Sequence, residues 1–427
     1  LMDAPGGNTI KNNQDHFVKR DAVSALCPHC AAMALFCLQT NAPSGGQGHR
    51  VGLRGGGPLT TLILPRDPAL GLWHALWLNV LPHDQMPAAG AQREKIFPWL
   101  APTQTSEKNQ KVTPQQADPL QMYWGMPRRI RLNFGATAGR CDLCGVGSDE
   151  LLTDYSTRNF GASYEAWVHV LSPHTQESPT ALPLPLHGQP GGIGYRHWVG
   201  MVVSNQDGKG GLRRPAHIVG HHRNSFERRL VSADFWAFGY DMDNMKARAW
   251  VDSRMPLLLA EVERQAQFDA LSKSYVAAAA EAFSYLRSMA KAACYGDPSR
   301  VGDKLKWDYP PQTPKDGAFF DVLAHNYWRR SEGDFFEHLR KALASADPEQ
   351  EEAISESWLK TLKQLAMQCF DSAVSSVDSS DSRIKAVIFA RSQLERMLAG
   401  DALRDLLELP QRQQKTVKPG KGNKRGR

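Results

Sequence analysis

The sequence predicts an α+β protein in two parts: an irregular, mixed N-terminal domain over residues 1–254 and a four-helix bundle over residues 255–411. Three observations predict it. Up to about residue 255, glycine and proline are frequent and apolar segments are short. Beyond that point, long apolar patterns with the helical period take over. Finally, the first part carries two widely separated C-x-x-C pairs, which need a common partner to make structural sense.

In the first part, Trp167-Val168-His169-Val170-Leu171 and Trp198-Val199-Gly200-Met201-Val202-Val203 read as short strands. Residues 101–118, polar with two prolines, read as a loop, as do residues 172–194, rich in Pro, Gly and His. In the second part, Leu257 to Cys294 is an Ala-rich helical pattern that Gly296-Asp297-Pro298 stops. A proline-rich connection, Tyr309 to Pro314, leads to a second helix from Ala318 to Ala344. Ile354, Trp358, Leu362, Leu365 and Cys369 recur at three and four and mark one face of a third. The fourth runs from Ser382 to Leu409 and ends at Pro410. Four such helices pack as a bundle. Residues 412–427 read as a basic, disordered tail: no acid follows Glu408, whereas Arg412, Lys415, Lys418, Lys421, Lys424, Arg425 and Arg427 do.

A chain of 427 residues exceeds one ordinary core, in keeping with two domains. Its 41% hydrophobic and 22% charged residues are those of a globular protein. No apolar run reaches the roughly 18 residues that cross a bilayer, and Leu1 to Lys19 lacks the pattern of a secretion signal. A soluble, cytoplasmic protein without membrane attachment is expected. Because the sequence begins with Leu rather than Met, a native start is expected to be missing. A net charge of +7 suits a polyanionic partner without requiring one.

Of seven cysteines, four form the pairs Cys27-Pro28-His29-Cys30 and Cys141-Asp142-Leu143-Cys144. A C-x-x-C knuckle lets two thiolates of one turn reach the same ion, and two knuckles complete the tetrahedral shell of a structural zinc site. With residues 31–140 between the pairs, such a zinc ties distant stretches of one domain together. Four protein ligands leave no position for substrate or water, so the ion holds shape and does not catalyse. A single pair could be a redox dithiol; two in one cytosolic chain favour zinc over that and over chance clustering. His29 reads as a bystander, and Cys37, Cys294 and Cys369 as packing residues.

After the first knuckle comes a glycine-rich run from Asn41 to Pro58, with Ser44, Gly45, Gly46, Gln47 and Gly48 near its start. It is no phosphate-binding P-loop, because no Gly-Lys-Ser/Thr follows the glycines, and no dinucleotide fingerprint opens a helix there. Its glycines let backbone approach another surface closely, a DNA groove included. Arg50 and Arg54 could add phosphate contacts. A bare structural loop stays open on these residues alone.

Taken in order, Ala25-Leu26-Cys27-Pro28-His29-Cys30, Ala34-Leu35-Phe36, Asn41-Ala42-Pro43 and Gly52-Leu53-Arg54-Gly55-Gly56-Gly57-Pro58-Leu59-Thr60-Thr61 resemble the CasA family, the large subunits of the type I-E CRISPR Cascade. The second cysteine pair falls where that family has its own, and Phe238 to Ala247 resembles the family's segment before its C-terminal bundle. The likeness covers most of residues 15–255; family members carry a further N-terminal portion, which is expected to be missing here.

The resemblance implies a DNA-binding subunit of a crRNA-containing hetero-oligomer rather than an enzyme. Such a subunit recognises the protospacer-adjacent motif of double-stranded DNA from the minor groove. It then promotes duplex opening and R-loop formation, and it docks a helicase–nuclease effector. Guide pairing reads the long sequence, so the protein reads only a few flanking pairs. The family's glycine loop falls on Ser44 to Gly48, with Ser44 and Gln47 in place of two usual glycines. Its lysine finger falls on Arg158 or Asn159, and its glutamine wedge on Asn244, flanked by Asp243 and Met245. Phe17, Lys19 and Arg20 match a loop implicated in motif engagement. Asn is shorter than Gln, so Met245 could supply the apolar part of a wedge. The bundle would cover opened strands or neighbouring subunits. At each single position a plain loop or packing role stays open.

An enzyme would need a nucleophile elbow or an H-E-x-x-H helix around candidates such as His169, His174, His217, His221 or His222, and neither motif occurs. A free-standing, zinc-containing DNA-binding regulatory protein is the other alternative. It would bind duplex tightly alone, whereas a subunit would do so only when assembled.

Overall fold

The computed structural model describes residues 10–11, 22–86, 92–206, 210–225, 231–243, 246–301, 304–345, 347–375 and 381–411. The chain divides into two units, Leu1–Leu259 and Ala260–Arg427. The tail from residue 412 lies outside the described residues.

The first unit contains helix α1 (Pro28–Asn41), strand β1 (Thr60–Pro65) and the short helix α2 (Leu72–Trp77). Strands β2 (Arg129–Phe134), β3 (Gly139–Arg140), β4 (Gly147–Ser148) and β5 (Leu152–Arg158) follow the loop of residues 101–118. Next come β6 (His174–Gln176), β7 (Leu184–Pro185), β8 (Asn205–Gln206) and β9 (Leu212–Arg214). Helix α3 (His217–Asn224) and two long strands, β10 (Ala233–Asp243) and β11 (Lys246–Pro256), close the unit. The strands form small, separate sheets: β1-β10-β11, β7-β6-β9-β8, and the ribbons β2-β5 and β3-β4. All the pairings are antiparallel.

The pattern of β10 shows why it sits in the middle of its sheet. Its alternate residues Ala233, Phe235, Ala237 and Gly239 are buried, as a strand with one face on the core requires. The other face carries an aromatic ladder across the hairpin: Trp236 to Phe238 at 4.5 Å, Phe238 to Trp250 at 5.6 Å and Tyr240 to Trp250 at 4.9 Å. Ile63 of β1, Ile218 and Val219 of α3, and Phe235 are sealed from solvent.

Two segments read as strands are not strands. Trp167 to Leu171 has no ladder of its own; the Leu171 carbonyl accepts from the Thr61 amide at 2.8 Å and the Trp167 indole donates to the Val112 carbonyl at 2.8 Å. Trp198 to Val203 is a kinked, buried turn in which Gly200 takes φ 105°. Short buried apolar runs carry no periodicity that separates strand from other buried chain. Conversely, residues 172–194 are not all loop, since they supply β6 and β7.

The second unit contains helices α4 (Gln265–Tyr295), α5 (Ala318–Ala344), α6 (Pro348–Val374), α7 (Asp381–Ala399) and the short α8 (Ala402–Leu406). Between α4 and α5 lies a hairpin, β12 (Asp297–Val301) with β13 (Lys304–Asp308). α4 packs against α5, α6 and α7. Ile354, Trp358, Leu362, Leu365 and Cys369 are all buried, as their spacing predicted. Asp347 caps α6 by accepting from the Glu349 amide at 3.1 Å, with Pro348 in the first turn, where its missing N–H costs nothing. In the core, Tyr275 stacks on Trp358 at 6.0 Å, and the Trp358 indole donates to the Tyr275 carbonyl at 3.2 Å.

Three boundaries differ from the sequence reading. α4 starts at Gln265 rather than Leu257, because β11 runs through Pro256 and the Leu257 amide still donates to the Ala233 carbonyl at 3.2 Å. The segment after Gly296 forms the β12–β13 hairpin before the proline-rich connection. The fourth helix breaks at Gly400 into α7 and α8, glycine being among the weakest helix formers. Among the described residues, no helix is long and apolar enough to cross a membrane.

Candidate functional site

Cys27 is the N-cap of α1 and Cys30 lies in its first turn, so both thiols project from one helix end. Cys141 and Cys144 belong to the turn joining β3 to β4, where the Cys141 amide donates to the Val146 carbonyl at 3.0 Å and Gly145 turns back to the Cys141 carbonyl at 2.8 Å. The two knuckles meet. All four sulfurs lie within 4.8 Å of one another, and Cys27 Sγ is 3.8 Å from Cys144 Sγ. Four thiolates about 2.3 Å from a tetrahedral ion stand about 3.8 Å apart, so the spacing fits one metal ion holding all four.

The surroundings are built for this closure. Leu26, Ala31, Leu151 and Leu152 pack around three buried cysteines. The Asp142 carboxylate accepts from the amides of Ser24 at 2.7 Å and Ala25 at 2.8 Å, which pins one knuckle to the approach of the other and lowers the Asp142 pKa. Amide donors, that of Cys27 foremost, lower the Cys141 thiol to about 6; burial, and then the neighbouring thiols, push Cys30 up to about 12. Four crowded sulfurs cannot all ionise without a cation to balance them, and a bound metal deprotonates its thiols outright.

Two elements run from this cluster to the glycine loop. α1 begins at the cysteines and ends, after 14 residues, at Asn41; at 1.5 Å per residue the helix is about 21 Å long. β5 starts at Leu152, whose amide and carbonyl bond Leu26 at 2.8 and 3.0 Å, and ends at Arg158. Where these two elements end, the Phe160 amide donates to the Gly48 carbonyl at 2.9 Å. Gly48 has φ +74°, and a Cβ there would come within 2.8 Å of the Phe160 nitrogen and 2.9 Å of Asn159 Cβ. The loop Ser44 to Gly48 therefore lies directly on Asn159 and Phe160. Ser44, Gly46, Gln47, Arg158 and Asn159 are exposed; Gly45 and Gly48 are half-buried.

The arginines divide sharply. Arg50 does not reach outward: Nε donates to Ser106 Oγ at 2.7 Å, Nη2 to the Ser106 carbonyl at 3.3 Å, and the guanidinium stands 6.0 Å from the Phe160 ring. It props the loop from behind. Arg54 is turned inward, donating to Thr60 Oγ1 at 2.9 Å and Ser172 Oγ at 3.2 Å; burial lowers its pKa to about 10. Beside it, burial and then the Arg54 charge lower His174 to about 4 and His169 well below its usual value.

Asp243 is exposed at the end of β10, opposite Lys246. Asn244 and Met245 between them lie outside the described residues, as do Phe17, Lys19 and Arg20. Of the lone cysteines, Cys369 is buried, Cys294 partly so, and Cys37 is exposed, so packing does not describe the last.

Sequence reasoning passed over Arg128, whose backbone exchanges two hydrogen bonds of 2.9 Å with the Gln39 side chain and whose Nη2 donates to the Pro43 carbonyl at the root of the glycine loop. The Arg128-Arg129-Ile130-Arg131 run was the available signal.

A sequence model of the family described as CRISPR-associated protein Cse1 matches residues 1–369. The chain belongs to the Cse1 family. Cse1 is also called CasA, so the resemblance read from the residues around the first knuckle is borne out. Solved structures agree in fold. Cse1 of Thermobifida fusca shares 16% identity at a TM-score of 0.58, covering 93% of this chain and 75% of its own. Cse1 of Acidimicrobium ferrooxidans shares 16% at 0.53, covering 82% and 65%. A chain of a structure titled "CRISPR RNA-guided surveillance complex" shares 16% at 0.55, covering 86% and 68%. The chain thus spans about two thirds to three quarters of the length of these Cse1-fold structures.

Proposed function

We propose that the chain is the large subunit of a type I-E Cascade, a crRNA-guided surveillance complex acting in the cytoplasm in antiviral defence. It recognises the protospacer-adjacent motif in double-stranded DNA, promotes opening of the duplex and R-loop formation, and docks the helicase–nuclease that cuts. It binds and positions, with no catalytic residue of its own. Membership of the Cse1 family supports the assembly, as does the surveillance-complex structure among the fold's relatives.

The observation that carries the DNA-reading role is the Gly48–Phe160 hydrogen bond. It brings the exposed Ser44–Gly48 loop and the Arg158–Asn159 pair, far apart in sequence, onto one surface. Backbone of the loop and the Arg158 and Asn159 side chains meet the motif in the minor groove, while Asn244, with Asp243 and Met245, pries the adjacent pair. Phe17 and Lys19 add contacts, and Arg50 acts by holding the loop. The ion at Cys27, Cys30, Cys141 and Cys144 is a structural Zn2+ that anchors α1 and β5, and with them both halves of the reading surface. The unit over residues 1–254 reads DNA; the helices of 255–411 cover neighbouring subunits or opened strands, helped by the basic charge of residues 412–427.

The test is reconstitution with the guide-RNA-bearing subunits, followed by gel shifts on targets with and without the motif. Gly46→Asp and Asn244→Ala should each abolish motif-dependent binding while the complex still assembles. Normal target binding by both variants would overturn the assignment. Tight duplex binding by the isolated chain would favour a free-standing regulatory protein instead.

A further inference from the structure

A cavity of about 790 Å³ opens beside the β2–β5 ribbon. Its wall carries Lys95, Arg128, Arg129, Arg131 and Arg158 against one carboxylate, Glu94. Residues directly opposite in an antiparallel ribbon share a face. The pairings Arg129 with Arg158 and Arg131 with Ser156 therefore set three guanidiniums on one side. Arg129 is tied to Glu107 at 3.6 Å and to the Asn159 carbonyl at 3.1 Å. Arg131 and Arg158 are exposed, with no acidic partner among the described residues.

Arg128 lies deeper. Its Nη2 is spent on Pro43, whereas Nε and Nη1 are buried with no partner among the described residues. A desolvated cation left uncompensated is costly, and the cost falls when an anion docks near it. The same wall holds Trp99, 52% exposed. Its ring belongs to an aromatic cluster, 5.2 Å from Phe97 and 5.7 Å from Trp124, which in turn is 6.0 Å from Phe36. A row of cations beside an accessible indole is what a strand with unpaired bases requires: phosphates meet the charges and a base stacks on the ring.

We propose that this cavity holds single-stranded DNA, with phosphates along Arg131, Arg129 and Arg128 and a base against Trp99. The inference rests on the proposed function, which supplies the choice of DNA. Arg128 bonds the root of the glycine loop and Arg158 adjoins Asn159, which touches Gly48. A strand released from a duplex held at that loop enters the cavity directly.

The experiment titrates the full chain with a fluorescein-labelled oligodeoxythymidine of about 12 nucleotides, read by anisotropy over a range of salt. Trp99→Ala should weaken binding about tenfold. Arg131→Ala should weaken it and reduce the log–log salt slope by about 0.7. Both residues are exposed, and unchanged melting curves verify the fold. Wild-type affinity in both variants overturns the proposal, and tighter binding of an RNA of the same sequence overturns the choice of DNA. The two readings fail separately. If Gly46→Asp abolishes motif recognition by the assembled complex while both cavity variants bind normally, the cavity proposal alone falls. If the cavity variants lose the oligonucleotide while Gly46→Asp recognises targets normally, the single-strand site stands and the loop assignment falls.

Discussion

The Phe160 amide donates to the Gly48 carbonyl over 2.9 Å, joining the loop after α1 to the residues after β5. The bond exists only because residue 48 has no side chain. Gly48→Ala places a Cβ 2.8 Å from the Phe160 nitrogen, at a positive φ besides. We expect a loss of about 1–3 kcal/mol in denaturant unfolding. Gly46→Ala meets only the His49 ring at 3.7 Å and carries backbone strain alone, about 1 kcal/mol. The reverse ranking would show that the loop does not rest on Phe160.

The four sulfurs should hold one metal ion per chain, and elemental analysis of protein purified without added metal should find zinc. Cys27→Ser or Cys141→Ser should remove it and lower the melting temperature, as should a strong chelator. Acid should release the ion too, because protons compete for the thiolates. Retention of a full equivalent by either variant would exclude the site as drawn.

Acid should also weaken the first unit through its buried histidines. His174 titrates near 4 in the fold because burial, and then Arg54, disfavour its charged form. Unfolded, it titrates near 6.5. Between those values the unfolded chain binds the extra proton, so stability is fully present above about pH 6.5 and falls as pH drops toward 4. The contribution is at most on the order of 3 kcal/mol. His174→Gln should flatten the melting temperature between pH 7 and pH 5; an unaltered slope would remove His174 from the account.

In the helical unit, Trp358→Ala should cost about 3–5 kcal/mol, since the ring is sealed from solvent, stacks on Tyr275 and hydrogen-bonds its carbonyl. Trp358→Phe should cost less. Urea unfolding of the two variants checks the order.

What was legible in the sequence was local or periodic. The cysteine knuckles announced themselves by spacing. The helix of Ile354 to Cys369 did so by its period, and α5 by the proline-rich connection before it. Trp198 to Val203 misled because a buried apolar run looks alike in a strand and in a kinked turn. Arg54 misled because nothing local shows that Thr60 and Ser172 turn it inward. The wall of the β2–β5 cavity was invisible for a related reason: Arg131 and Trp99 acquire their meaning only when brought to the same surface.

β1 pairs with β10 only as far as Phe238; beyond that point β10 and β11 stay paired to Asp243 and Lys246, held from the side where Gly57 lies close against Tyr240 and Met242 and Gly188 bridges the buried Asp241. Five residues at about 3.4 Å each make an arm of about 17 Å. Its rings clasp one another across the strands, and Arg248 grips Asp241 at 2.6 Å near the far end. Braced along its length, such an arm is a stiff mount. A push on its end is delivered to the buried sheet instead of being absorbed by bending.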